Sequence, residues 1–101
     1  MANQDPSLSA KERLILELLV SSGALYGLQL VTQSQGELKR GTVYVTLARM
    51  EAKGLVVSEQ EALPDGAIGL PKRIYRPTPQ GKRVLRAWVA LAKAFAWEGV
   101  S

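Results

Sequence analysis

Apolar positions recur every three to four residues over most of this chain and alternate briefly in its middle. Leu14, Ile15, Leu18 and Leu19 fall at helical spacing behind Ser9-Ala10-Lys11-Glu12, a capping-box pattern with serine at the N-cap and glutamate three residues on. This predicts a first helix from about Ala10 to Ser21 that stops near Ser22-Gly23, followed by a short link, Ala24-Leu25. Tyr26 to Val31 predicts a second, shorter helix packed through Leu30 and Val31, ended by the polar run Gln33 to Gly36. A third helix opens around Arg40-Gly41-Thr42. Val43, Leu47 and Met50, at i, i+4 and i+7, form its buried stripe. Lys53-Gly54 closes it, a cation in the last turn before a C′ glycine.

The period then changes. Leu55-Val56-Val57 opens a short strand, and Lys72 to Arg76 is its returning partner. Between them Glu61 to Pro71 is loop-like, with Pro64-Asp65-Gly66 as a turn. Thr78-Pro79 supplies an N-cap and a first-turn proline for a last helix to about Trp97, with Val84, Leu85, Trp88, Leu91, Ala92 and Phe95 on one side. The order helix, helix, helix, hairpin, helix predicts a mainly α fold with a small β-hairpin: a winged helix-turn-helix plus a C-terminal dimerisation helix. Residues 1–8 read as a tail, 9–77 as the winged helix-turn-helix DNA-binding domain and 78–101 as the dimerisation helix. In such a layout the third helix can lie in a DNA major groove while the hairpin forms a wing on the backbone or minor groove.

Charge sharpens this picture. The net charge of +4 is unevenly placed. Residues 39–86 hold ten Lys and Arg against four acids, a net +6, whereas residues 1–38 sum to −2 and residues 87–101 to zero. A block of one sign points to a polyanion or an anionic surface as partner; joined to the winged-helix order it points to double-stranded DNA. Composition narrows the rest. With 47% hydrophobic residues in 101, the chain is expected to be one globular domain with a thin core. It has no cysteine and no histidine, which removes disulfides, thiolate catalysis and the common zinc ligand sets. No nucleophile–base set is evident, so an enzyme is not expected, nor any cofactor or metal. The polar start MANQDPSLSAKE is not a signal peptide and no apolar run approaches membrane-spanning length, so a cytoplasmic location is expected.

The candidate DNA-binding residues follow from these elements. Lys39, Arg40 and Thr42 sit at the amino end of the third helix, where free backbone N–H groups favour phosphate. Tyr44, Thr46 and Arg49 project from that helix toward phosphates or base edges. Lys72, Arg73 and Arg76 mark the base of the wing and would extend the positive face, with Tyr75 in the core beneath it. On the last helix, Leu85, Trp88, Leu91 and Phe95 make an apolar stripe that a small core covers only in part. Pairing with a second copy would bury the remainder and set two third helices about one DNA turn apart. Trp88 and Trp97 are also candidates for an effector pocket at that interface, for a small molecule of unknown kind.

Three motifs in order carry a family resemblance over about residues 14–81. RGTVYVTLARMEAKGLV (Arg40 to Val56) resembles the GTLYpaLxrLexxGLv signature of PadR-like transcriptional regulators. GLPKRIYRPTPQG (Gly69 to Gly81) resembles their G-x-P-x-x-x-Y-x-x-T-x-x-G wing and helix start, and GALYGLQL (Gly23 to Leu30) their G-x-x-y-G-Y-E-L segment. The resemblance implies a winged-helix DNA-binding dimer, usually a repressor, whose final helix mediates dimerisation. It implies Thr42 and Tyr44 at the DNA backbone and Arg73 in the basic position of the wing. Val45 stands where the family has proline, and Leu28-Gln29 replaces its aromatic-acidic pair. The single final helix is like that of the short members, with no separate effector domain implied. Beside the repressor stands a second reading, a winged-helix module that binds another protein and does not itself bind DNA.

Overall fold

The computed structural model describes residues 8–63, 65–66, 69 and 72–100, with the backbone alone for residues 96–100. The tail at residues 1–7, the prolines of the expected wing loop at 64 and 71, and the Trp97 side chain lie outside the described residues. The elements run α1 (Ala10–Ser22), β1 (Leu25–Tyr26), α2 (Gly27–Gln33), α3 (Val43–Ala52), β2 (Val56–Gln60), β3 (Arg73–Pro77) and α4 (Pro79–Val100). Four helices and a small antiparallel sheet make a winged helix, the architecture that the periodicities predicted.

Local chemistry accounts for the helix ends. Ser9 Oγ accepts from the Glu12 amide at 3.1 Å while Glu12 Oε1 accepts from the Ser9 amide at 3.0 Å, so the α1 capping box is complete. Gly23, at φ +90°, ends α1 and donates its amide to the Leu19 carbonyl at 2.7 Å. Gly54, at φ +77°, lets the chain leave α3 in the left-handed region that a residue with a Cβ resists.

The one added element is β1. Leu25, expected in a link, and Tyr26, expected to open the second helix, instead form a two-residue strand that pairs antiparallel with β3, Leu25 opposite Tyr75 and Tyr26 opposite Ile74. The sheet order is β1-β3-β2, so β3 is central and the wing is anchored on both sides. Two residues carry too little periodicity to reveal a strand, and β3 satisfies their backbone groups only in the folded chain.

The core lies between the sheet and α1, α3 and α4. Ile15, Leu16, Leu19, Leu30, Leu47 and Met50 are wholly buried, and Val43, Val56 and Tyr75 nearly so. Glu12 is also buried and takes an ion pair from Lys53 Nζ at 2.7 Å, which ties α1 to the end of α3. Burial opposes ionisation of this carboxyl, but hydrogen bonds from Lys53 and Ser9 outweigh it and hold the pKa below its ordinary value.

The start of α4 is welded to the end of α3. Thr78 Oγ1 donates to the Gly54 carbonyl at 2.6 Å and accepts from the Gly81 amide at 2.9 Å. Gly81 packs so closely that a Cβ there would collide with the Leu55 carbonyl oxygen. The Thr78-x-x-Gly81 spacing therefore encodes a helix-on-backbone contact as well as a cap.

Candidate nucleic-acid interface

The amino end of α3 is prepared by a polar turn. Ser34, buried between α2 and α3, donates to the Val31 carbonyl at 2.7 Å and accepts from the Leu38 amide at 2.9 Å. The chain then passes Lys39, Arg40 and Gly41, all exposed, and enters α3 with the amides of Thr42 and Val43 donating to the Lys39 carbonyl at 3.1 and 2.9 Å. Thr42 occupies the N-cap position, but its side chain makes no capping hydrogen bond. Its hydroxyl stands exposed beside two cations at the positive end of a ten-residue helix.

Along α3 the buried stripe is Val43, Leu47 and Met50, as the spacing predicted. The opposite face carries Val45, 57% exposed, with Ala48, Arg49 and Ala52 around it. Thr46 is half-buried, and its hydroxyl donates back to the Thr42 carbonyl at 3.3 Å, which leaves only its methyl and oxygen lone pairs to an outside partner. Val45 is the outward residue that sequence reasoning passed over. It was weighed only as a departure from a family proline, whereas its helical position, opposite the buried stripe, already marked it as outward-facing.

Tyr44 leaves α3 on the flank nearest the wing. It is 46% exposed, and its ring lies against the backbone of Gly27, where a Cβ would meet Tyr44 ring carbons at 2.5 and 2.6 Å and the hydroxyl at 2.7 Å. The second-helix motif and the third-helix motif are therefore two sides of one contact. Tyr26, Gly27, Leu28 and Gln29 from the start of α2, Tyr44 from α3, and Lys72 and Arg73 from the wing base line a single cleft of about 520 Å³. Lys72 Nζ lies 5.2 Å from the centre of the Tyr26 ring. The Tyr26 hydroxyl donates to Glu61, and that hydrogen bond raises the phenol's pKa and keeps it a donor.

The three wing cations do not share one face. Tyr75 points into the core, and strand alternation puts Arg73 on that same side of β3, toward α3. Arg76 falls on the other side, where it pairs with Glu59 Oε1 at 3.4 Å. The expected continuous face of Lys72, Arg73 and Arg76 is thus corrected: Lys72 and Arg73 meet the α3 cleft and Arg76 does not. Among the described residues the ion pairs are Arg13–Glu17, Lys53–Glu12 and Arg76–Glu59, and Lys39, Arg40, Arg49, Lys72 and Arg73 take part in none of them.

The α4 stripe also divides. Leu85 is 8% exposed and belongs to the chain's own core, which corrects its assignment to a subunit interface. Trp88 is half-buried, with the Arg13 guanidinium of α1 4.7 Å from its ring centre. Leu91 and Phe95, 49% and 66% exposed, extend the apolar stripe beyond the reach of α1. Among the described residues no helix is long and apolar enough to cross a membrane.

Known proteins resemble this arrangement. The model of the transcriptional regulator PadR-like family matches residues 15–87. Transcriptional regulator Rv3488 of Mycobacterium tuberculosis is 49% identical over 45 residues, which make up 45% of this chain and 38% of that relative's length. The crystal structure of a PadR family transcriptional regulator from Eggerthella lenta superposes with a TM-score of 0.71 at 29% identity, covering 88% of this chain and 76% of the other. Bacillus subtilis PadR in complex with operator DNA gives a TM-score of 0.70 at 22% identity over 82% of this chain and 48% of its own, a likeness of fold.

Proposed function

This chain belongs to the transcriptional regulator PadR-like family, and we propose that it is a cytoplasmic, homodimeric repressor that binds double-stranded DNA. The membership sets it among transcriptional regulators rather than enzymes. In this reading α3 enters the major groove, with Val45 and Ala48 against thymine methyl groups and Arg49 at a phosphate or base edge. Thr42, Lys39 and Arg40 take phosphate at the amino end of the helix. Tyr44, Lys72 and Arg73 hold the adjacent backbone across the cleft.

The observation that carries the reading is the convergence of α3 and the wing base on one cleft whose cations are not engaged in ion pairs. The operator-bound relative of the same fold supports the class of partner. The dimer follows from Leu91 and Phe95, which continue an apolar stripe that begins inside the core. A second copy would cover them and bring two α3 helices to one side of the duplex. Trp88, at the margin of that contact, remains the candidate for an effector to reach, together with Trp97.

The test is a titration of labelled duplex, drawn from DNA flanking the gene, at several salt concentrations. Specific binding with a steep salt slope is expected, and Arg49→Ala and Arg73→Ala should each lower the slope by about 0.9. Binding no stronger than to random duplex at low salt would defeat the proposal and leave the protein-binding module. Sedimentation at micromolar concentration tests the dimer: Phe95→Glu should yield monomer while the wild-type chain sediments as a dimer.

A further inference from the structure

We propose that Ser58, itself held by Glu51, aims the Arg73 guanidinium at its phosphate, so that the end of α3 sets the direction of the wing's cation. The inference rests on the DNA-binding reading above and adds two positioning residues to it. Ser58 Oγ donates to the Glu51 carboxylate, with the two oxygens at 3.1 and 3.0 Å. The same oxygen accepts from Arg73 Nη1 at 3.0 Å, and Arg73 Nη2 donates to Gln60 Oε1 at 3.3 Å.

The chemistry gives this chain a direction. A serine hydroxyl has one proton and two lone pairs. A carboxylate can only accept, so Glu51 takes the proton and turns the lone pairs toward the guanidinium. The register makes the contact feasible: Gln60 is directly opposite Arg73 and Ser58 is opposite Tyr75, one diagonal away on the same face of the sheet. The guanidinium is a planar fork of five N–H donors. Two are engaged by Ser58 and Gln60, which fixes the plane and leaves three for a ligand. A hydroxyl stands between Glu51 and Arg73, so the carboxylate orients the arginine without neutralising it in a direct ion pair. Ordering this long side chain before DNA arrives removes an entropy loss that binding would otherwise carry. Neither Ser58 nor Glu51 contacts the duplex in this scheme.

The experiment uses the 101-residue chain and the same labelled duplex, with Ser58→Ala, Ser58→Thr, Arg73→Ala and the Ser58→Ala/Arg73→Ala pair. Ser58→Ala should weaken binding by about two- to ten-fold, the cost of ordering one long side chain on binding. Ser58→Thr keeps the hydroxyl and should restore wild-type affinity. Ser58→Ala should cost nothing further once Arg73 is alanine, because no guanidinium is left to aim. The inference is overturned if Ser58→Ala binds as the wild type does, or if its effect is as large without Arg73 as with it, the mark of a merely structural serine. These failures are distinct from failure of the underlying reading. If wild-type protein shows no duplex binding at low salt, both fall; if it binds and Arg73→Ala lowers the salt slope while Ser58→Ala changes nothing, only the positioning role falls.

Discussion

Two helices of this protein begin at a threonine, and the two threonines have opposite uses. At α4 the Thr78 hydroxyl is fully engaged, donating to Gly54 and accepting from Gly81, and the helix start is locked against the backbone of Leu55. At α3 the Thr42 side chain makes no cap and stands exposed beside Lys39 and Arg40. One threonine hydroxyl caps an amide of its own helix; the other caps none and is left for an outside partner. The contrast separates residues that hold the fold together from residues kept available for a ligand, although both ends carry the same residue type at the same helix position.

The contrast can be broken most severely at Gly81. A Cβ there would meet backbone that has nowhere to retreat, so Gly81→Ala should lower stability by about 3 kcal/mol, the upper range for overpacking, measured by denaturant titration. Thr78→Val removes two hydrogen bonds beneath the same contact and should cost about 2 kcal/mol. The DNA affinity of its folded fraction should match wild type. Gly27→Ala sharpens the comparison from the other side. Its Cβ would displace a side chain, the Tyr44 ring, rather than backbone, so a smaller stability loss of about 1 kcal/mol should accompany a larger loss of duplex binding. Thr42→Val should change stability by less than about 0.5 kcal/mol and still weaken binding. If Thr42→Val instead destabilised the chain as much as Thr78→Val, the division of labour between the two helix starts would be wrong.

The Glu12–Lys53 pair yields a pH dependence that belongs to the fold alone. The folded-state pKa of Glu12 is depressed, so its contribution to stability is present above the unfolded-state pKa of about 4.3 and is lost as pH falls through the lower folded value. Acid unfolding followed by circular dichroism should therefore be steeper in the wild type than in Glu12→Gln below about pH 5. Duplex binding near neutral pH should be unaffected by this group.

Much of the fold was legible because its signals are local. The Ser9–Glu12 box, the Val43-Leu47-Met50 stripe, the glycines after α1 and α3 and the Thr78-Pro79 start each act within one or two turns, so spacing alone exposes them. The candidate interface was legible only in part. The block of positive charge could be counted along the chain, but whether each cation is available could not. Arg76 and Arg73 look equivalent in sequence, yet one faces Glu59 across the sheet and the other faces α3. Strand alternation parts the two; only the burial of Tyr75 decides which side meets the cleft. Leu85 and Phe95 likewise share one helical stripe and differ only in how far along it the core extends.

Taken alone, the sequence determined the order of the helices and the starts of the first and last, that a hairpin follows the third helix, and that the surplus cations lie between residues 39 and 86. These depend on hydrogen bonds and side-chain periods that close over a few residues. Tertiary structure alone decided that Leu25 and Tyr26 join the sheet, that Gly27 seats the Tyr44 ring, and that Ser58 links Glu51 to Arg73. Each of these joins segments well apart in the chain. Such contacts exist only once register and packing have set which faces meet, and no local pattern encodes that distance.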